Sequence, residues 1–221
     1  MTEKLMKKIS EGRQYRPTAE VLRIKARAAD HEEHEENSEE MIVEGHATTF
    51  NQPYTLYEDE ELKIDEQIDG HAFDECDMDD VIFQYNHEGR VFARTRNNTL
   101  ELECDDIGLN VRANLGGTEE GKKLYQEIKD GYTDRMSFGF TVLEEDVEEV
   151  EGEGKETYLR TIKRIGKLYD VSAVSIPAND GTDISARSFS DGLIAKLNAE
   201  RQERRAKIEL VKAKAKALLE F

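Results

Sequence analysis

Between residues 41 and 184 the chain is a succession of short apolar runs, most only a few residues long, set apart by Gly, Asn, Asp and Glu. Alternation of apolar and polar residues gives a segment one buried and one wet side at strand period, so this region reads as many short β-strands. The runs fall at 41–50, 81–85, 91–95, 99–104, 108–115, 136–143, 158–165 and 168–176. Strands this short and numerous pack as a barrel or a sandwich. Asn97-Asn98 reads as a tight hairpin turn, and the acidic stretch 144–156, with Gly152 and Gly154, as an exposed loop between two strands. One helix interrupts the series. Thr118 caps it, Glu119 and Glu120 suit its first turn, Leu124 and Ile128 share a face, and Gly131 ends it.

The flanks differ from this body in charge. The 221 residues carry a net charge of −18, yet residues 1–30 hold eight Lys/Arg against four acids and residues 187–221 nine against five. The interval 31–186 has 14 basic and 40 acidic groups, and a body this acidic repels nucleic acid. Three regions follow: an N-terminal arm (1–40), expected to be flexible, a globular body (41–188) and a basic C-terminal helix (189–221), with apolar patches at Leu193, Ile194, Leu197 and at Ile208, Val211, Ala215, Leu218. The basic flanks suit docking to an acidic partner or to the acidic body itself, or else are solvated helices. There is no apolar run of about 18 residues, so no membrane span is expected, and the first ten residues lack the apolar stretch of a secretory signal. Cys76 and Cys104 lack ligand spacing and are expected as free thiols, so synthesis in the cytosol is expected.

Three of the apolar runs carry one polar residue of catalytic type. In Arg135-Met136-Ser137-Phe138-Gly139-Phe140, alternation puts Met136, Phe138, Phe140 and Val142 on one face and Ser137, Gly139 and Thr141 on the other. Ser137 faces away from the apolar set, with Gly139 leaving room for a substrate carbonyl. His87 ends the run Val81-Ile82-Phe83-Gln84-Tyr85-Asn86 beside the turn residue Gly89 and can reach a neighbouring strand. Asp170 lies inside Leu168-Tyr169-Asp170-Val171-Ser172, where a carboxylate is costly to bury unpaired. His87, Arg160, Arg164 or a backbone turn would each satisfy it. A serine, a histidine and an acid on separate strands are the parts of an acyl-transfer site.

No metal or cofactor is expected. His31 and His34 are three apart, not the four of a helical zinc-protease motif, and the carboxylates at 74–80 lack the glycine of a calcium loop. No glycine-rich phosphate loop occurs.

Taken in order, Gly45-His46-Ala47-Thr48-Thr49-Phe50, Asn86-His87, Gly108-Leu109, Ser137-Phe138-Gly139-Phe140, Asp170-Val171-Ser172 and Pro177-Ala178 resemble the prohead (capsid maturation) protease family of tailed bacteriophages, relatives in fold of the herpesvirus assemblins. The resemblance covers about residues 41–188. It implies an α+β fold with a compact antiparallel β-barrel flanked by helices, and a serine endopeptidase with His87 as base, Ser137 as nucleophile and Asp170 as third member. At the third position the phage family commonly has glutamate and the herpesvirus enzymes a second histidine. Glu88 stands where the family often has aspartate after the histidine. The implied substrates are scaffold, or the scaffold-like segment of the major capsid protein, and the chain itself, with self-association possible. The implied setting is the host cytoplasm and then the interior of the immature capsid. The alternative is a non-enzymatic capsid or scaffold component with the same strands.

Overall fold

The computed structural model describes residues 13–17, 24–27, 41–151 and 154–175, with five further helical positions at 199, 202, 203, 206 and 207. The expected C-terminal helix otherwise lies outside the described residues, as do His31, His34 and Pro177-Ala178. Eleven strands and one α-helix are described: β1 (Gln14–Pro17), β2 (Lys25–Arg27), β3 (Ile42–Thr49), β4 (Tyr54–Glu58), β5 (Leu62–Ile68), β6 (Ile82–Tyr85), β7 (Glu88–Arg94), β8 (Leu100–Cys104), β9 (Gly108–Asn114), α1 (Glu119–Lys129), β10 (Arg135–Val150) and β11 (Glu156–Val174).

The strands form two sheets, and neither closes into a barrel among the described residues. The larger has the order β1-β10-β11-β5-β4, with β6 on β11 and β7 on β6; the smaller runs β2-β3-β9-β8. The barrel expectation fails because β1 at one edge of the larger sheet and β4 and β7 at the other pair with one strand each and not with one another among the described residues, while β11 takes two partners end to end. Glu156 to Ile162 pair with β5 and Asp170 to Ala173 with β6, both parallel. Between them the loop after β5 covers the edge through Ile165 N to Ala72 O, Asp77 N to Gly166 O and Leu168 N to Asp77 O. The larger sheet is therefore mixed, whereas the smaller is antiparallel throughout.

One apolar cluster takes side chains from both sheets: Val43, Leu109 and Val111 from the smaller, Phe83, Phe138, Phe140, Ile162, Leu168 and Val171 from the larger, with Leu124 and Ile128 of α1. The helix follows its sequence signals. Thr118 Oγ1 accepts from Gly121 N at 3.0 Å, and Gly131 takes a left-handed φ of 79° just past the last turn.

Two local expectations are corrected. Asn98 has a left-handed φ of 58°, but Asn97-Asn98 is no hairpin: a 3₁₀ turn at Thr95–Asn97 carries the chain from β7 in one sheet to β8 in the other. The acidic stretch expected as a loop is strand as far as Val150, so that only the residues between it and Glu156 connect the two strands. β10 and β11 pair from Arg135↔Val174 out to Val150↔Thr157, with Glu144, Asp146, Glu148 and Glu149 exposed on the β10 half.

Within the region expected as an arm, β1 and β2 are strands at sheet edges. Arg16 of β1 is fully buried, and its guanidinium pairs with both carboxylate oxygens of Glu66 on β5. Glu66 also accepts from Arg160 Nη1 and from Tyr54 OH. Gln14 Oε1 accepts from Arg16 Nη2 at 2.7 Å and from Arg160 Nη1 at 3.1 Å. This buried clamp fixes the register of β1 on β10: Tyr15↔Gly139, Arg16↔Phe138, Pro17↔Ser137.

Candidate active site

His87 is placed by backbone geometry. Tyr85 pairs with Glu88, and the two residues between them, Asn86 and His87, have φ of 50° and 59°. A two-residue turn with both central residues left-handed matches the right-handed twist of its strands, and Asn and His tolerate that conformation better than most residues. Asn86 N donates to Ala173 O at 2.9 Å, tying the turn to β11.

Asp170 is aimed by a bulge. Phe138 lies opposite Val171 but Phe140 lies opposite Leu168, so β11 has one extra residue there. The bulge lets Leu168 and Val171 both enter the core while Asp170, opposite Gly139, takes the other face with Ser137 and Ser172. The three runs thus meet on one face of the larger sheet.

The contacts are short and directional. Ser137 Oγ is 2.6 Å from His87 Nε2, and His87 Nδ1 is 2.5 Å from Asp170 Oδ1. With the ring proton on Nδ1, donated to the carboxylate, Nε2 is free to accept from the serine hydroxyl. Ser172 Oγ donates to Asp170 Oδ1 at 2.9 Å and lies 3.2 Å from His87 Nδ1. The other oxygen, Oδ2, is ion-paired with Arg13. Asp170 and Ser172 are fully buried, Ser137 is 4% exposed, and the His87 side chain keeps 16% exposure. Burial disfavours the imidazolium and the Arg13 cation adds to that, holding His87 down to about 4. The ring is then neutral at pH 7, the form that can take a proton from a hydroxyl.

A hydroxyl on a neutral imidazole whose far nitrogen is held by a buried carboxylate is an arrangement suited to acyl transfer. Residues 27–194 match the family described as Caudovirus prohead serine protease. The chain belongs to that family. Comparison with curated proteins and with solved structures gave no match. Prohead serine proteases act in capsid maturation, which sets the class of substrate as capsid proteins.

The family match begins at residue 27, so it omits Arg13 and Tyr15, two side chains that sequence reasoning also missed. Tyr15 packs its ring on His87, centroids 4.3 Å apart. Ser172 was missed as well, although its spacing of two from Asp170 on one strand was the available signal. One expectation about this face is corrected. The space over Gly139 is not open to a substrate carbonyl: a Cβ there would lie 2.5 Å from Asp170 Oδ2, 2.8 Å from Tyr15 Cε1 and 2.9 Å from Arg13 Nε. Neither Arg160 nor Arg164 partners Asp170. Arg160 serves Glu66 and Glu145, and Arg164 lies 3.5 Å from Glu75 and 3.8 Å from Glu144.

His46 and His71 engage Asp105 and Asp74 instead. Cys76 and Cys104 are free thiols, and burial pushes the Cys76 thiol up to about 12. Among the described residues no group of three or more His, Cys, Asp or Glu converges as a metal site, and no helix is long and apolar enough to cross a membrane.

Proposed function

We propose that this chain is a serine endopeptidase that cleaves scaffold, or the scaffold-like segment of the major capsid protein, and itself, inside the immature capsid. The observation that carries the reading is the continuous Ser137–His87–Asp170 hydrogen-bond chain within a prohead serine protease. His87 Nε2 takes the Ser137 proton as Oγ attacks the scissile carbonyl. It returns that proton to the departing amine, leaving an acyl-Ser137 ester. A water, deprotonated by the same nitrogen, releases the acid and restores the serine. Asp170 keeps the imidazole in the required tautomer and stabilises the imidazolium formed in each half-reaction.

Synthesis in the host cytoplasm followed by enclosure in the prohead suits an enzyme whose substrates are its container. The test is co-expression with the major capsid protein. Wild type is expected to shorten the capsid protein, and Ser137→Ala to leave it intact with an unchanged circular dichroism spectrum. Processing by the alanine variant at the wild-type rate would sink the serine-protease reading at this position, and a wild type that leaves the capsid protein intact would favour a non-enzymatic capsid component.

A further inference from the structure

The catalytic face is completed by a side chain from outside the family-matched region. We infer that Arg13, just before β1, is a positioning residue for Asp170, holding its Oδ2 so that Oδ1 stays on His87. This rests on the Ser137–His87–Asp170 reading above.

The geometry begins with register. Tyr15↔Gly139 and Gly139↔Asp170 place Tyr15, Gly139 and Asp170 in one row across three strands, and alternation puts Arg13 on the same side as Tyr15. Gly139, having no side chain, lets the row close up. Arg13 Nε, Tyr15 Cε1 and Asp170 Oδ2 all crowd the point where a Cβ would stand. The guanidinium lies over the Tyr15 ring at 5.0 Å and the Tyr169 ring at 4.7 Å, so its plane is held from two sides. The opposite face of β1 is anchored by Arg16 on the buried Glu66. A strand gripped on one side thus presents a cation and an aromatic ring to the catalytic groups on the other.

Asp170 needs that cation. It is fully buried, and a neutral histidine and a serine hydroxyl supply dipoles but no charge. Arg13 supplies the charge and occupies one oxygen, which leaves the other for His87 and Ser172. The groups facing His87 are Asp170 and Ser172 from β11, Ser137 from β10, Tyr15 from β1 and Arg13 just before it. Arg13 is the cation among them, so its removal has one direction: the imidazolium becomes easier to form and Asp170 loses its fixed orientation.

The experiment uses the full chain and a peptide spanning the capsid-protein junction that wild type cuts. Arg13→Gln is expected to lower kcat by up to about 100-fold, the scale of a 1 Å misplacement, with KM within about twofold. The acid limb of its kcat/KM profile should move upward from about 4 toward the ordinary histidine value. Arg13→Lys, which keeps the cation, should hold the limb in place and recover most of the rate. A folded Arg13→Gln with wild-type kcat and an unmoved limb overturns the inference and leaves the Ser137 reading standing. If Arg13→Gln does not fold, Arg13→Lys decides: an upward limb despite the retained charge overturns the inference. Peptide cleavage that survives Ser137→Ala overturns both.

Discussion

Glu66→Gln tests how β1 is held, and its size can be worked from the buried clamp. The Glu66 carboxylate is fully buried on β5. Burial alone would push its carboxyl up, but the Arg16 and Arg160 cations and their hydrogen bonds outweigh that and hold it down at about 2, from 4.5. At about 1.4 kcal/mol per pH unit, the gap corresponds to about 3 kcal/mol of folding stability. Because the folded value is the lower one, that stability is fully present above pH 4.5 and is lost as pH falls toward 2. Glutamine keeps the shape but leaves two buried guanidinium groups without their anion, a loss of about 3–5 kcal/mol when one partner of a buried pair is removed. The assay is urea denaturation of wild type and Glu66→Gln from pH 7 down to pH 2. The difference should be about 3 kcal/mol at pH 7, shrink below pH 4.5, and nearly vanish at pH 2. A difference under about 1 kcal/mol at pH 7, or one that ignores pH, would refute the reasoning.

Two further outcomes follow from the catalytic face. Asp170→Asn should cut peptide hydrolysis by about 10⁴-fold, because the amide favours the wrong imidazole tautomer; a fall of only a few-fold would mean that Ser137 and His87 act as a dyad or that another carboxylate serves. Wild-type kcat/KM should hold steady from pH 8 to about pH 5 and fall with a midpoint near 4, since the reaction needs neutral His87 and burial with Arg13 disfavours its protonation; a midpoint at 6.5 or above in the pH-rate profile contradicts that picture.

The side chains of the proposed triad were legible because strand alternation separates Ser137 from Met136, Phe138 and Phe140 without knowledge of the partner strands. The ordered motifs then selected His87 from five histidines. Other features were hidden for physical reasons. β1 (Gln14–Pro17) reads as polar because Arg16 is buried by ion pairing with a residue 50 positions away, which inverts the usual meaning of a charge. β5 has the right alternation at Leu62, Ile64 and Ile68, but Glu66 occupies an inward position for the same reason. The outer half of β10 exposes Glu144, Asp146, Glu148 and Glu149, so its composition is that of a loop, although it is held by backbone pairing with β11. The bulge that aims Asp170 arises from tertiary fit, with Leu168 and Val171 both drawn into the core, and pattern alone does not place it.

The account's central claim is that His87 makes Ser137 a nucleophile, and covalent trapping tests it most directly. Full-length protein is treated with a fluorophosphonate at pH 7, and the modified residue is located by peptide mass spectrometry. The predicted result is a single adduct on Ser137, lost in His87→Ala although that variant remains folded. An unmodified Ser137, or equal labelling of Ser137 with His87 removed, would contradict the claim.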